Sequence, residues 1–255
     1  MTTPSPRIRR EPPPFRRVRV VRTEAVTPHM ARVVLAGPEL EGFRVDEPAA
    51  SVRLLLPSDG MLVVPGWAGN EFLLPDGRRP VIRTFTPRRF DAGALELHLD
   101  IVLHSTGAAT AWVTDARPGE EVAVSGVGRG YAIDPEVRSF TLIGDETAIP
   151  AICQLLESLP DVEISTRIEV SHEDAGVDLH RDVDAEWFVL RKGSPRGDTL
   201  VSAVRDMDPA RGGRIWAAGE AASMQRIRKL LFEDRGLARS DAHVRGYWKD
   251  GRSGE

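Results

Sequence analysis

Cysteine is almost absent from this chain: Cys153 is the single one in 255 residues. One thiol excludes an intrachain disulfide framework and fits a reducing compartment, so a cytoplasmic location is expected. No apolar run reaches the length of a membrane span, and the N-terminal arginines are followed by none. Neither a signal peptide nor membrane insertion is therefore predicted. Charge of one sign is also lacking, with 34 basic against 38 acidic residues and a formal net charge of −4. That excludes the basic field a nucleic-acid binder needs, and no nucleic-acid partner is expected. Lysine occurs only at Lys192, Lys229 and Lys249. Arginine abundance is then a bias of composition, and a single Arg is weak evidence for a site. No GxSxG, Walker or HExxH pattern is present, and the six histidines show no metal-ligand spacing. A metal centre is not expected.

What is present suffices for a core: 41% hydrophobic and 28% charged residues. Residues 1–14 are proline-rich and aperiodic, and are expected to be a flexible tail. Short alternating stretches at 17–26, 31–36, 51–57, 81–88, 94–103 and 121–125 predict six strands, with one helix over 108–116. Six short strands imply an antiparallel β-barrel for residues 15–134. After the boundary the pattern changes. Strands at 139–143, 162–171, 187–190, 214–218 and 242–247 alternate with helices at 148–159, 199–206 and 221–235. Such alternation implies an α/β unit, a doubly wound parallel sheet, over 138–255.

Three stretches carry candidate chemistry. In Arg83-Thr84-Phe85-Thr86, strand alternation puts Arg83 and Phe85 on one side and the two threonines on the other. Phe85 can stack on a flat ring, Arg83 can clamp a phosphate, and a Thr can hydrogen-bond a ring edge. A half-buried strand with an ordinary surface Arg explains the same residues. The second stretch, Asp100-Ile101-Val102-Leu103-His104, breaks at Gly107 and restarts as a helix through Ala108, Ala109, Thr110 and Trp112. Such a break aims free amides and a helix dipole at an anion, although a plain cap at Ser105 or Thr106 reads equally well. An aromatic face and a helix N-terminus together suggest a flavin nucleotide. The third stretch, Gly144-Asp145-Glu146-Thr147, turns the first α/β strand into its first helix, the usual place for a dinucleotide pyrophosphate. It is not the GxGxxG fingerprint. Thr147 is the expected N-cap, with Pro150 in the first turn. Gly126-Val127-Gly128-Arg129-Gly130 is followed by no helix and is expected to be a turn with Arg129 exposed.

Taken in order, these stretches resemble the siderophore-interacting protein family. Pro118-Gly119, Gly219-Glu220 and the terminal Gly246-Tyr247-Trp248-Lys249-Asp250-Gly251-Arg252 add to the resemblance, which runs from about residue 15 to residue 252. It implies an FAD-containing ferric-siderophore reductase on the ferredoxin-reductase plan, with NADPH or NADH as donor. Arg83, Thr84, Phe85 and Thr86 would then hold the flavin, and Asp100 to His104 with Gly107 to Thr110 and Trp112 would line its ribose and pyrophosphate. Gly144 to Thr147, Gly219, Glu220 and Trp248 would form the nicotinamide nucleotide pocket. Arg53, Arg129, Arg245 and Lys249 would attract an anionic ferric siderophore. No side chain would act as a catalytic acid or base, since the flavin carries the electrons. Two departures stand out: Phe85 where Tyr is frequent, and Ser105 where Gly is usual.

Two other classes remain open at this point. One is a general flavin- or ferredoxin-linked oxidoreductase on the same fold, with ferredoxin as donor. The other is a cytoplasmic siderophore-binding protein without turnover, which would need no nucleotide pocket. Residues 171–174 (Ser-His-Glu-Asp), Arg191 and Arg226 leave NADPH and NADH unseparated. A monomer is expected.

Overall fold

The computed structural model describes residues 11–58, 60–103, 107–208 and 212–251. The expected tail (mostly), His104, Ser105, Thr106 and Arg252 lie outside the described residues. The first half carries β1 (Arg16–Thr27), β2 (Met30–Ala36), β3 (Val52–Leu55), a small hairpin of β4 (Gly66–Ala68) and β5 (Glu71–Leu73), β6 (Ile82–Phe85), β7 (Pro87–Asp91), β8 (Glu96–Val102), helix α1 (Ala108–Asp115) and β9 (Glu121–Ser125). Seven of the strands form one antiparallel sheet in the order β6-β3-β9-β1-β2-β8-β7. Its two edges, β6 and β7, are neighbours in the chain, separated only by Thr86. The sheet therefore curls until its ends meet, and with β6 and β7 as one bent strand it is the six-stranded barrel. Pro87 explains the bend, because a proline has no N–H for the ladder. The register beside it is irregular as well.

Alternation fills the barrel. Val18, Val20, Val33, Leu35, Leu54, Leu97, Leu99, Val122 and Val124 turn inward and form one apolar cluster. The β4–β5 hairpin has no counterpart in the sequence pattern, since its strands are only three residues long.

The second half alternates as expected: β10 (Ser139–Asp145), α2 (Ile149–Ser158), β11 (Glu163–Val170), β12 (Asp184–Val189), α3 (Asp198–Asp206), β13 (Arg214–Glu220), α4 (Ala221–Lys229) and β14 (Ala242–Trp248). All neighbours in the order β12-β11-β10-β13-β14 are parallel. The chain leaves β10 toward β11 and β12, then returns to β13 on its other side. The switch point, where such sheets bind ligands, thus lies between β10 and β13 at their C-terminal ends. The helix expected over 221–235 is α-helical only to Lys229 and ends in a π-helical turn, Leu230–Asp234.

Helix α2 joins the halves. Its Ile149, Ile152, Cys153, Leu155 and Leu156 share one cluster with Met30, Ala49 and Val102 of the barrel. Gln154 of α2 accepts from the Ala49 N–H at 2.9 Å and donates to the Pro87 carbonyl at 2.5 Å. Arg88 pairs with Glu157 at 2.6 Å. Helices α3 and α4 cover the opposite face through Leu200, Val204, Met224 and Ile227. Among the described residues no helix is long and apolar enough to cross a membrane.

Candidate functional site

The switch point is built around Asp145, the last residue of β10. Its Oδ1 accepts from the Thr147 N–H at 2.9 Å and the Thr147 hydroxyl at 2.6 Å. Its Oδ2 accepts from the Glu220 N–H and from the Trp248 indole N–H, each at 2.8 Å. Asp145, not Thr147, is therefore the N-cap of the turn Glu146–Ala148 that leads into α2. A carboxylate oxygen reaches the amide two residues on more readily than a Thr can cap from inside the turn. Burial pushes the Asp145 carboxyl above its ordinary value, and the four donors offset only part of that.

Two glycines make this approach feasible. A Cβ on Gly219 would stand 2.7 Å from Asp145 Oδ2, and one on Gly144 would stand 2.5 Å from the Ala148 Cβ. Gly144 is thus a close-packing residue inside β10 rather than part of a phosphate loop.

Three more carboxylates surround Asp145, each nearly buried. Glu146 accepts from the Ser171 N–H. Glu169 accepts from the Gly197 N–H at 2.7 Å and the Leu200 N–H at 3.2 Å, at the start of α3. Burial pushes the Glu169 carboxyl up. Glu220 caps α4 through the Ser223 N–H at 2.8 Å. The structure brings Gly144, Asp145, Glu146, Thr147, Gly219, Glu220 and Trp248 together as expected. Their carboxylates, however, are spent on strand-end amides. The remaining crevice is narrow, about 10 Å³, and is lined by Asp145, Glu146, Thr147, Glu169, Val170, Ser171, Arg196 and Trp248.

Across the seam lies the bend in the barrel. Pairing sets Phe85 opposite Val52, Arg83 opposite Leu54 and Thr84 opposite Arg53. Arg83 and Phe85 share the inward side, as alternation predicts, and Phe85 packs partly on the barrel core. Thr84 is exposed, but Thr86 is buried because β6 ends before it. The two threonines therefore do not share a face. Thr86 hydrogen-bonds the phenol of Tyr247, whose pKa burial pushes up to about 12. In the sequence, Tyr247 has a place in the terminal motif at 246–252 but no role of its own.

Arg83 is half-buried, its pKa lowered by desolvation, and its one hydrogen bond goes to the Ile82 carbonyl at 2.9 Å. No carboxylate pairs with it among the described residues. Nearby, β8 is partnered by β7 only as far as Leu99. Gly107 precedes α1 with no side-chain cap among the described residues. A guanidinium without a counterion among the described residues and the N-terminal end of a helix both favour an anion. These residues fit the phosphates of a flavin nucleotide.

Other expected residues are committed elsewhere. Asp100 takes a bidentate pair from Arg32 at 2.7 and 2.8 Å. Ile101 and Val102 turn their side chains into cores. Trp112 packs on the barrel and gives its indole N–H to Glu120 at 2.8 Å. Contact with a cofactor from residues 100–102 is thus left to the backbone.

Arg129 sits exposed on the turn after β9, as expected. Its carbonyl accepts from Arg245 of β14 at 3.4 Å. Arg53 lies on β3 beside that turn, where the Gly128 N–H donates to the Ser51 carbonyl at 2.7 Å. Lys249 is exposed beyond β14. Among the described residues, none of the four has a carboxylate partner. Arg53, Arg129 and Arg245 form one basic neighbourhood across both halves.

A curled antiparallel sheet followed by a parallel one defines the two-domain ferredoxin-reductase-like class. A ferredoxin NADP+ reductase from Neisseria gonorrhoeae shares the fold with TM-score 0.65 at 13% identity, over 92% of this chain and 99% of that one. The chain belongs to the siderophore-interacting protein family: the siderophore-interacting FAD-binding domain matches residues 19–130 and the siderophore-interacting protein model matches residues 137–251. A siderophore utilization protein from T. fusca is 33% identical with TM-score 0.83, over 95% of this chain and 96% of that one. Ferric vibriobactin reductase ViuB of Vibrio cholerae is 27% identical, over 92% of this chain and 89% of the relative.

Proposed function

We propose that this protein is a ferric-siderophore reductase that takes electrons from NAD(P)H through FAD, so that iron leaves its chelator as Fe(II). The observation that carries the reading is the half-buried Arg83, which has no carboxylate partner among the described residues. A flavin unit over 15–134 and a nucleotide unit over 138–255 are part of the same reading, as are a cytoplasmic location and a monomeric state.

In this reading Arg83 and the start of α1 bind the FAD phosphates, while Phe85 gives the ring an apolar contact. Bound FAD would supply the change from a two-electron donor to a one-electron acceptor. Arg53, Arg129 and Arg245 would hold an anionic chelate over the crevice by charge alone. Helix α2 and the Gln154 bridge would fix the distance between the halves. Iron is the substrate here, so no protein ligand to it is needed; reduction itself weakens its hold on hard oxygen donors.

The test is an anaerobic absorbance record of the FAD-loaded protein, first with NADPH or NADH and then with a ferric siderophore. Bleaching of the flavin by a nucleotide and recovery with the chelate is the expected result. A flavin that stays oxidised with both nucleotides would refute the donor assignment and favour a ferredoxin. Failure to bind FAD at all would sink the reading in favour of a siderophore carrier.

A further inference from the structure

We infer that Arg196, held by Ser171 at the end of the second strand of the parallel sheet, selects NADPH by taking its 2′-phosphate. This rests on the nucleotide reading above and deepens it. In a doubly wound sheet the end of the second strand is where the adenosine ribose is read. A carboxylate there accepts from the ribose hydroxyls, and an arginine donates to a 2′-phosphate. Here that strand is β11, and Ser171 follows it directly.

Arg196 Nη1 donates to Ser171 Oγ at 2.8 Å, and the guanidinium lies over the Trp248 ring at 5.8 Å. No carboxylate pairs with it among the described residues, so most of its N–H groups remain to meet an anion. The Ser171 oxygen is the acceptor in that bond, which leaves its own hydrogen to donate to a phosphate oxygen. Both residues line the crevice beside Asp145.

The carboxylates that would recognise an unphosphorylated ribose are already engaged. Glu146 faces the Ser171 amide, and Glu169 faces Gly197 and Leu200. Asp174 is bonded to His29 at 2.9 Å, in a contact where the His29 and His172 rings stack at 4.0 Å. That contact draws the turn toward the barrel. Glu173 is exposed on this turn and does not line the crevice. The other candidate arginines do not line it either: Arg226 is paired with Asp198, and Arg191 is exposed.

The experiment is calorimetric titration of the FAD-loaded protein with adenosine 2′,5′-bisphosphate and with adenosine 5′-monophosphate, beside flavin reduction by NADPH and NADH. Wild type should bind the bisphosphate about tenfold to a hundredfold more tightly, the scale of a charge-assisted hydrogen-bond pair. Arg196→Gln should bring the ratio to about one without weakening the monophosphate, and Arg196→Lys should keep part of it. Each variant is first checked for its flavin spectrum and melting temperature; Ser171→Ala, expected to lower the ratio less, serves if Arg196→Gln does not fold. Equal binding of the two ligands by wild type would overturn the inference, as would a preference that survives Arg196→Gln. Tighter monophosphate binding would also overturn it and move recognition to Glu173. If neither ligand binds while NADPH still reduces the flavin, the inference fails and the reductase reading stands. If neither nucleotide reduces the flavin, the donor assignment itself fails.

Discussion

Trp248 donates its indole N–H to Asp145 Oδ2 at 2.8 Å, tying the last strand of the parallel sheet to the first across β13. Asp145 is half-buried beside the crevice, so water replaces a lost donor only in part. Trp248→Phe should cost about 1 kcal/mol, the net worth of a typical hydrogen bond. Urea unfolding of the FAD-loaded variant measures it. A loss under 0.5 kcal/mol (roughly the floor for a real hydrogen bond) would mean that the indole bond does not hold the site.

Gly144→Ala tests the packing beneath that carboxylate. The added Cβ would stand 2.5 Å from the Ala148 Cβ and 3.0 Å from the Ala218 carbonyl oxygen. Neither neighbour is a flexible side-chain end, so the strand or the turn must shift. Overpacking of this kind costs typically about 1–3 kcal/mol. Thermal melting should show it, together with weaker nucleotide binding if the Asp145 cap moves.

Arg32 and Asp100 pair inside the barrel wall, with the Asp100 side chain 5% exposed and that of Arg32 28% exposed. Arg32→Met alone should destabilise by about 3 kcal/mol, because it strands a buried carboxylate. The double variant Arg32→Met, Asp100→Leu should recover most of that loss. A double-mutant cycle in urea checks it; additive losses would show that the two charges do not depend on each other.

Much of this was legible beforehand, for physical reasons. The period-two stretches of the barrel and the buried runs of β10, β11 and β13 are long enough to declare themselves, and β9 has the bounds that its alternation predicts. What could not be read depends on long-range contacts. Asp145 looks like a loop acid until Glu220 and Trp248, 75 and 103 residues away, converge on it. Asp100 and Trp112 look like ligand residues until Arg32 and Glu120 claim them. Arg196 sits in an aperiodic Ser-Pro-Arg-Gly turn, and only the fold brings it to Ser171. The break at Thr86 was hidden because Pro87 was absorbed into one long strand.

Acid should destabilise the protein through two histidines. Burial pulls His243 below its ordinary value of 6.5, and Arg245 and Arg228 add to the effect. His98 is lowered as well, first by burial, with Glu96 opposing and nearby arginines assisting. A histidine whose folded pKa is depressed binds its proton more readily when unfolded. Its stabilising contribution is therefore complete above about pH 6.5 and is lost as pH falls below that value. Melting temperature measured from pH 8 to pH 5 should fall, and His243→Gln should flatten part of the slope. A variant slope equal to that of wild type would remove His243 from the account.

Charge at the Arg129–Arg245 contact should govern substrate capture rather than electron transfer. Arg245→Glu reverses a cation that touches the Arg129 backbone and has no acidic partner among the described residues. For an anionic ferric chelate, KM should rise about tenfold at low ionic strength, the lower end of electrostatic focusing effects. The maximal rate should change little, since no reacting atom is touched. Raising salt toward 1 M shortens the screening length to about 3 Å, so the gap between variant and wild type should close. A neutral ferric chelate should show no difference at any salt. Were the variant to lower the maximal rate equally for both chelates, Arg245 would act on the geometry of the crevice and not on its field.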